Sequence, residues 1–206
     1  MLSYCTVEPN TLELLKALMQ EPDFSKMRLV GGTALALQYG HRKSIDLDFF
    51  GDLECEQEDT FAILSKYGKV ETIKETKTIR IYAVNGIKVD FVNYSCYPWI
   101  DTPVSEDGIR LASTKDIAAM KINAIEGRGT RKDFVDVYFL LKHYTLPELL
   151  DFYKDKYSDH SFFRALMSLT YFEDAEMQPM PNLTSSLKKH TFYNLLINNI
   201  LYLCVT

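Results

Sequence analysis

The chain has 206 residues, and 23 Lys+Arg against 28 Asp+Glu give a formal charge of −5. With 47% hydrophobic and 25% charged residues it has the balance of a folded globular protein, not a disordered one. The acidic total argues against a protein that coats nucleic acid by bulk charge, and no apolar run approaches the roughly 20 residues that span a bilayer. The N-terminus, MLSYCTVEPN, lacks a basic region followed by an apolar segment, and the four cysteines are scattered with no metal-ligand spacing. A cytoplasmic protein with reduced thiols and no membrane partner is the expectation.

Leu12, Leu14, Leu15, Leu18 and Met19 have helical spacing, closed by Pro22. A short strand over Met27–Val30 runs into Gly31-Gly32-Thr33 and an Ala/Leu-rich helix to about Tyr39, with Gly40 as its C-cap. Residues 45–50 read as a strand with Ile45, Leu47 and Phe49 on one face and Asp46 and Asp48 on the other. A helix over Glu56–Lys66 and strands over Lys69–Ile73, Thr78–Val84 and Ile87–Tyr94 follow, the last two joined by an Asn85-Gly86 hairpin turn. Beyond Pro98 and Pro103 a loop leads into helices at Thr114–Glu126, Lys132–His143, Pro147–Lys156, Phe162–Leu169 and Leu187–Leu203. The aromatics of this half, Tyr138, Phe139, Tyr153, Phe163 and Tyr171 among them, read as its core. The order predicts an α+β fold: a mixed sheet flanked by helices over residues 1–108, and a helical C-terminal domain over 109–206.

Two glycines between a strand and a helix let backbone amides approach a phosphate, although such a pair also occurs for steric reasons alone. Asp46 and Asp48, at i and i+2, share a strand face, where hard oxygen ligands suit Mg²⁺ or Mn²⁺; a merely solvated face is the alternative. Asp90 is the natural third ligand if its strand neighbours theirs. Lys121 falls between Ile117 and Ile125 in an apolar stripe, so it either snorkels or meets an anion. Asp136, amid Phe134, Val135, Val137 and Tyr138, needs a partner such as Lys121, Arg128 or Arg131. Asp133 is explained by the helix field alone. Between Arg110 and Lys132 stand six basic residues and two acidic ones, a candidate basic groove.

Gly31-Gly32-Thr33-Ala34-Leu35, followed by His41-Arg42-x-Ser44-x-Asp46-x-Asp48-Phe49, resembles the first motif of the AbiEii/AbiGii-type nucleotidyltransferase toxins, within the DNA polymerase β-like nucleotidyltransferase superfamily. Lys121-x-x-Ala124 and Arg131-Lys132-Asp133-Phe134-x-Asp136 extend the likeness. It implies that Asp46, Asp48 and, by strand context, Asp90 bind two Mg²⁺ ions. Gly31, Gly32, Thr33 and Lys121 would hold the nucleotide, and Asp136 would join the catalytic set; Arg42, by its place before the Asp46–Asp48 strand, either reaches the triphosphate or braces Asp46. The expected activity is Mg²⁺-dependent transfer of an NMP from an NTP to an acceptor, RNA and in particular a tRNA end, by the toxin of a toxin–antitoxin pair with a cognate antitoxin. Nucleotidylylation of a small molecule or a protein, and a non-catalytic binding module, are the competing expectations.

Overall fold

A proline in the first turn and an apolar stripe define the chain's first helix. In the computed structural model, which describes residues 1–184, α1 (Pro9–Gln20) buries Leu14, Leu15, Leu18 and Met19. β1 (Met27–Leu29) passes through Val30 into α2 (Gly31–Tyr39), which ends on Gly40 in the left-handed region at φ 68°. Then come β2 (Leu47–Gly51), α3 (Gln57–Ser65), β3 (Val70–Glu75), β4 (Ile79–Val84) and β5 (Ile87–Asn93). Asn85 and Gly86, at φ 50° and 83°, form the hairpin turn their sequence predicts.

The stretch expected to be a loop contains a second hairpin, β6 (Val104–Glu106) and β7 (Ile109–Leu111). Its turn is Asp107-Gly108, again with both φ values positive at 51° and 76°. Strands this short leave no periodic trace, so the Asp-Gly pair is their one legible sign. The hairpin straddles residue 108, where the sequence suggests dividing the chain.

Among the described residues the sheet has seven strands in the order β3-β4-β5-β2-β1-β7-β6. β2 runs parallel to β5 and antiparallel to β1, and β1 pairs β7 in parallel, so the sheet is mixed. Leu47, Phe49, Val89 and Phe91 are buried on one face, and the Phe49 and Phe91 rings stack at 5.3 Å. Ile45 departs from expectation: it lies outside β2 and is 62% exposed. Ser44, bonded through its N–H to Thr6 O at 2.9 Å, draws the segment off the line of the strand.

The sheet and α1–α3 belong to one unit, Met1–Tyr97 with Pro103–Ala112; Pro98–Thr102 and the chain from Ser113 onward form a second. The second holds α4 (Thr114–Gly127), α5 (Arg131–Leu140), α6 (Leu146–Lys156), α7 (Phe162–Ser168) and the short α8 (Glu173–Glu176). Ser113 caps α4, and Thr145 with Glu148 forms a capping box on α6. The helix expected over Leu187–Leu203 lies outside the described residues. Tyr138, Phe139 and Tyr153 are buried as expected, but Phe163 and Tyr171 are 69% and 55% exposed: α7 buries only Ala165 and carries Phe163 outward, and Tyr171 stands in the turn between α7 and α8. Among the described residues no helix is long and apolar enough to cross a membrane.

The second unit is tied by a buried ion pair that sequence spacing does not reveal. Lys156 Nζ lies 2.7 Å from Asp116 Oδ1, both side chains fully buried, and also donates to Pro98 O at 2.7 Å. Asp116 further accepts from Ile100 N at 2.9 Å and Ser113 Oγ at 2.6 Å, which pins Pro98–Thr102 to this unit. Lys156→Met strands Asp116 as an uncompensated buried charge and should lower unfolding free energy in urea by about 3–5 kcal/mol. Adding Asp116→Asn to it should recover part of the loss.

Candidate active site

The turn from β1 into α2 is glycine because its side-chain space is already filled. At Gly31, φ +69°, a Cβ would sit 2.3 Å from Asp48 Oδ2; at Gly32 it would sit 2.1 Å from Arg42 Nη2. The elbow therefore carries a carboxylate against its first residue and a buried guanidinium against its second. Thr33 is fully buried; its hydroxyl donates to Asp46 O and lies 2.9 Å from Ser44 Oγ. That hydroxyl braces the loop carrying Asp46. Val30 N–H, donating to Asp48 O at 2.8 Å, stitches the elbow to β2.

Parallel pairing of β2 on β5 sets Asp48 opposite Asp90, with Leu47 opposite Val89 and Phe49 opposite Phe91. Since the apolar partners share the buried face, the two aspartates share the other. Asp46, half-buried, stands two residues before Asp48 and just outside the strand. Asp90 Oδ2 accepts from Lys88 Nζ at 2.5 Å, while its Oδ1 is buried without a hydrogen-bond partner.

These residues suit a hard divalent cation by donor type, and an orphaned buried carboxylate oxygen is the kind of atom such an ion satisfies. Their arrangement is open: among the described residues no three His, Cys, Asp or Glu side chains are gathered as a ready metal cage.

The other predicted residues lie in the second unit. Lys121, on α4, is buried with its Nζ 2.6 Å from Asp136 Oδ2 and 3.0 Å from Asp133 Oδ1, both on α5 and fully buried. Asp133 also accepts from Arg128 Nε at 2.9 Å, Arg128 Nη2 at 3.1 Å and Thr130 Oγ1 at 2.5 Å. It is thus a hub of charge and not merely an acid in a helix's first turn. Its position three residues before Asp136, on the same helix face, was the available signal. Burial pushes the Asp133 carboxyl up, but Lys121 and Arg128 outweigh that and hold it well below the usual carboxylate range.

The basic stretch 110–132 does not become a basic groove. Arg110 donates to the carbonyls of Met19, Phe24 and Met27, and Arg131 is buried against those of Ala175 and Glu176. Lys121 and Arg128 serve Asp133, and Lys115 pairs with Asp101 at 3.2 Å. Much of a run of like charge in sequence is thus taken up by carbonyls and carboxylates, while Lys132 stays exposed.

A family model described as the nucleotidyl transferase AbiEii toxin of a Type IV toxin–antitoxin system matches residues 13–191. An uncharacterized protein of Aquifex aeolicus (strain VF5) is 43% identical over 154 residues, covering 71% of this chain and 74% of that protein. A crystal structure described as a nucleotidyltransferase from H. pylori matches with a TM-score of 0.59 at 20% identity over 95% of each chain. MenT4, a nucleotidyltransferase toxin of Mycobacterium tuberculosis H37Rv, matches with a TM-score of 0.56 at 13% identity over 96% of this chain and 83% of its own. At these identities the two structures speak for the fold.

Gly31→Ala forces a left-handed alanine onto a carboxylate and should cost about 1–3 kcal/mol in urea unfolding. Gly32→Ala, which meets the movable end of Arg42, should cost less. Because Asp133 titrates lower in the folded than in the unfolded state, its contribution is complete above about pH 4 and is lost as pH falls toward the folded value. Asp133→Asn should therefore be less stable than wild type at neutral pH, and the gap in urea midpoint should narrow below about pH 4.

Proposed function

The chain belongs to the AbiEii nucleotidyl transferase toxin family and is a nucleotidyltransferase, and we propose that it moves an NMP from an NTP to RNA, at a tRNA end, as the toxin of a toxin–antitoxin pair. In this reaction the acceptor hydroxyl attacks the α-phosphate, the bond to the leaving pyrophosphate breaks, and the hydroxyl proton is lost. The observation that carries the reading is the in-register Asp48–Asp90 pair on the sheet face beside the Gly31 elbow.

Gly31 and Gly32 stand at the start of α2, where N–H groups and the helix field favour phosphate. Arg42, against Gly32, supplies a fixed cation there, and Thr33 serves the nucleotide indirectly by holding the Ser44–Asp46 loop in place. Asp46, Asp48 and Asp90 are the residues that would hold Mg²⁺ or Mn²⁺, two ions by the family resemblance. Bound there, such ions neutralise charge on the triphosphate and the entering oxygen. Asp90 is the group to assist removal of the acceptor's proton. For Lys121 and Asp136 the support is the family resemblance of Lys121-x-x-Ala124 and Asp133-Phe134-x-Asp136, and within the second unit the Lys121 ammonium is held in place between two buried carboxylates.

The toxin role follows the family's description, which also supports an antitoxin partner. The choice of RNA, and of a tRNA end, rests on the family resemblance of the Gly31–Asp48 motif. Incubation with each α-labelled NTP, Mg²⁺ and total cellular RNA should label a discrete RNA band with wild type, and Asp46→Asn should reduce the label about a hundredfold or more. Labelling should fall steeply with added salt if the acceptor is RNA. Label on protein or on a small molecule would overturn the acceptor, and equal labelling by Asp46→Asn would overturn the site.

A further inference from the structure

The carboxylate of Asp90 is held from one side only. Lys88, two residues earlier on β5 and so on the same face of the strand, donates its ammonium to Oδ2 at 2.5 Å. The Lys88 side chain is 41% exposed and that of Asp90 16%, so the pair runs from solvent inward to the carboxylate. The strands flanking Asp90 bring it no cation in register: its partners are Asp48 on β2 and Ile81 on β4. Lys88 itself stands opposite Ala83. A second carboxylate beside Asp90 makes a neighbouring positive charge necessary, and Lys88 supplies it on a flexible stem.

We infer that Lys88 is the resident counter-cation of Asp90, which a divalent cation must displace before the centre is complete. The inference rests on the nucleotidyl-transfer reading above for the identity of the incoming charge. An ammonium carries one charge and satisfies one carboxylate oxygen here, whereas a divalent ion brings twice the charge and takes several oxygen ligands. Both are positive and both draw on the one Asp90 carboxylate, so each weakens the other's hold on it, a negative coupling between lysine and metal. The half-exposed stem of Lys88 lets the ammonium leave without disturbing the strand. Lys88 is then a positioning residue: it keeps Asp90 in place in the metal-free protein and sets how readily metal alone binds.

The test is a titration of the full chain with Mn²⁺ alone, without nucleotide, following free Mn²⁺ by its electron paramagnetic resonance signal. Lys88→Gln should bind Mn²⁺ about fivefold or more tightly than wild type, and Lys88→Arg, which keeps a cation on Asp90, should stay near wild type. Adding Asp90→Asn to Lys88→Gln should abolish the gain. In thermal unfolding, Lys88→Gln should lower the metal-free Tm while enlarging the rise that Mn²⁺ produces. Mn²⁺ binding that depends on Asp48 but is equal or weaker in Lys88→Gln overturns the counter-cation role and leaves the centre standing. Mn²⁺ binding untouched by Asp48→Asn, or no binding by wild type and Lys88→Gln alike, overturns both.

Discussion

The parallel seating of β2 on β5 is the constraint from which the rest of the candidate site follows. Leu47, Phe49, Val89 and Phe91 must all reach the apolar face, and a slip of one residue would turn every one of them to the other side. Satisfying that demand leaves Asp48 and Asp90 side by side on the opposite face. The acidic pair is thus a by-product of core packing in position, though not in chemistry. Two like charges set together ask for positive charge nearby, and Arg42 and Lys88 are the cations found at the elbow and on β5.

The glycine elbow depends on the same pairing. With Asp48 fixed by β2, its carboxylate lies where a side chain at position 31 would be, so the left-handed turn there has no room for anything but glycine. Thr33 and Ser44 then hold the approach to β2, which displaces Ile45 from the strand and places Asp46 in a braced loop. The start of α2 and the acidic face meet because β1 pairs with β2, and the Val30 N–H to Asp48 O bond carries that pairing up to the elbow.

Local pattern carried much of this into the sequence. The alternation Leu47-Asp48-Phe49 identified the polar phase of β2, Asn85-Gly86 identified the turn between β4 and β5, and Gly40 the end of α2. What local pattern cannot show is which residue waits across a fold. Asp116, in the first turn of α4, gives no local sign of Lys156, 40 residues later. Asp133 reads as an ordinary first-turn acid until α4 brings Lys121 to it. The basic stretch 110–132 fails in part for the same reason, since Arg110 and Arg131 are spent on carbonyls distant in the chain. Lys88 was within reach of strand periodicity, because it shares a face with Asp90, but the ion pair between them depends on burial.

The most direct measurement is a crystal of the chain grown with Mn²⁺ and a non-hydrolysable NTP, with anomalous scattering used to locate the metal. The account predicts Mn²⁺ at about 2.0–2.6 Å from carboxylate oxygens of Asp48 and Asp90, with triphosphate oxygens against the backbone of Gly31 and Gly32. Metal and triphosphate bound together away from that elbow would contradict it.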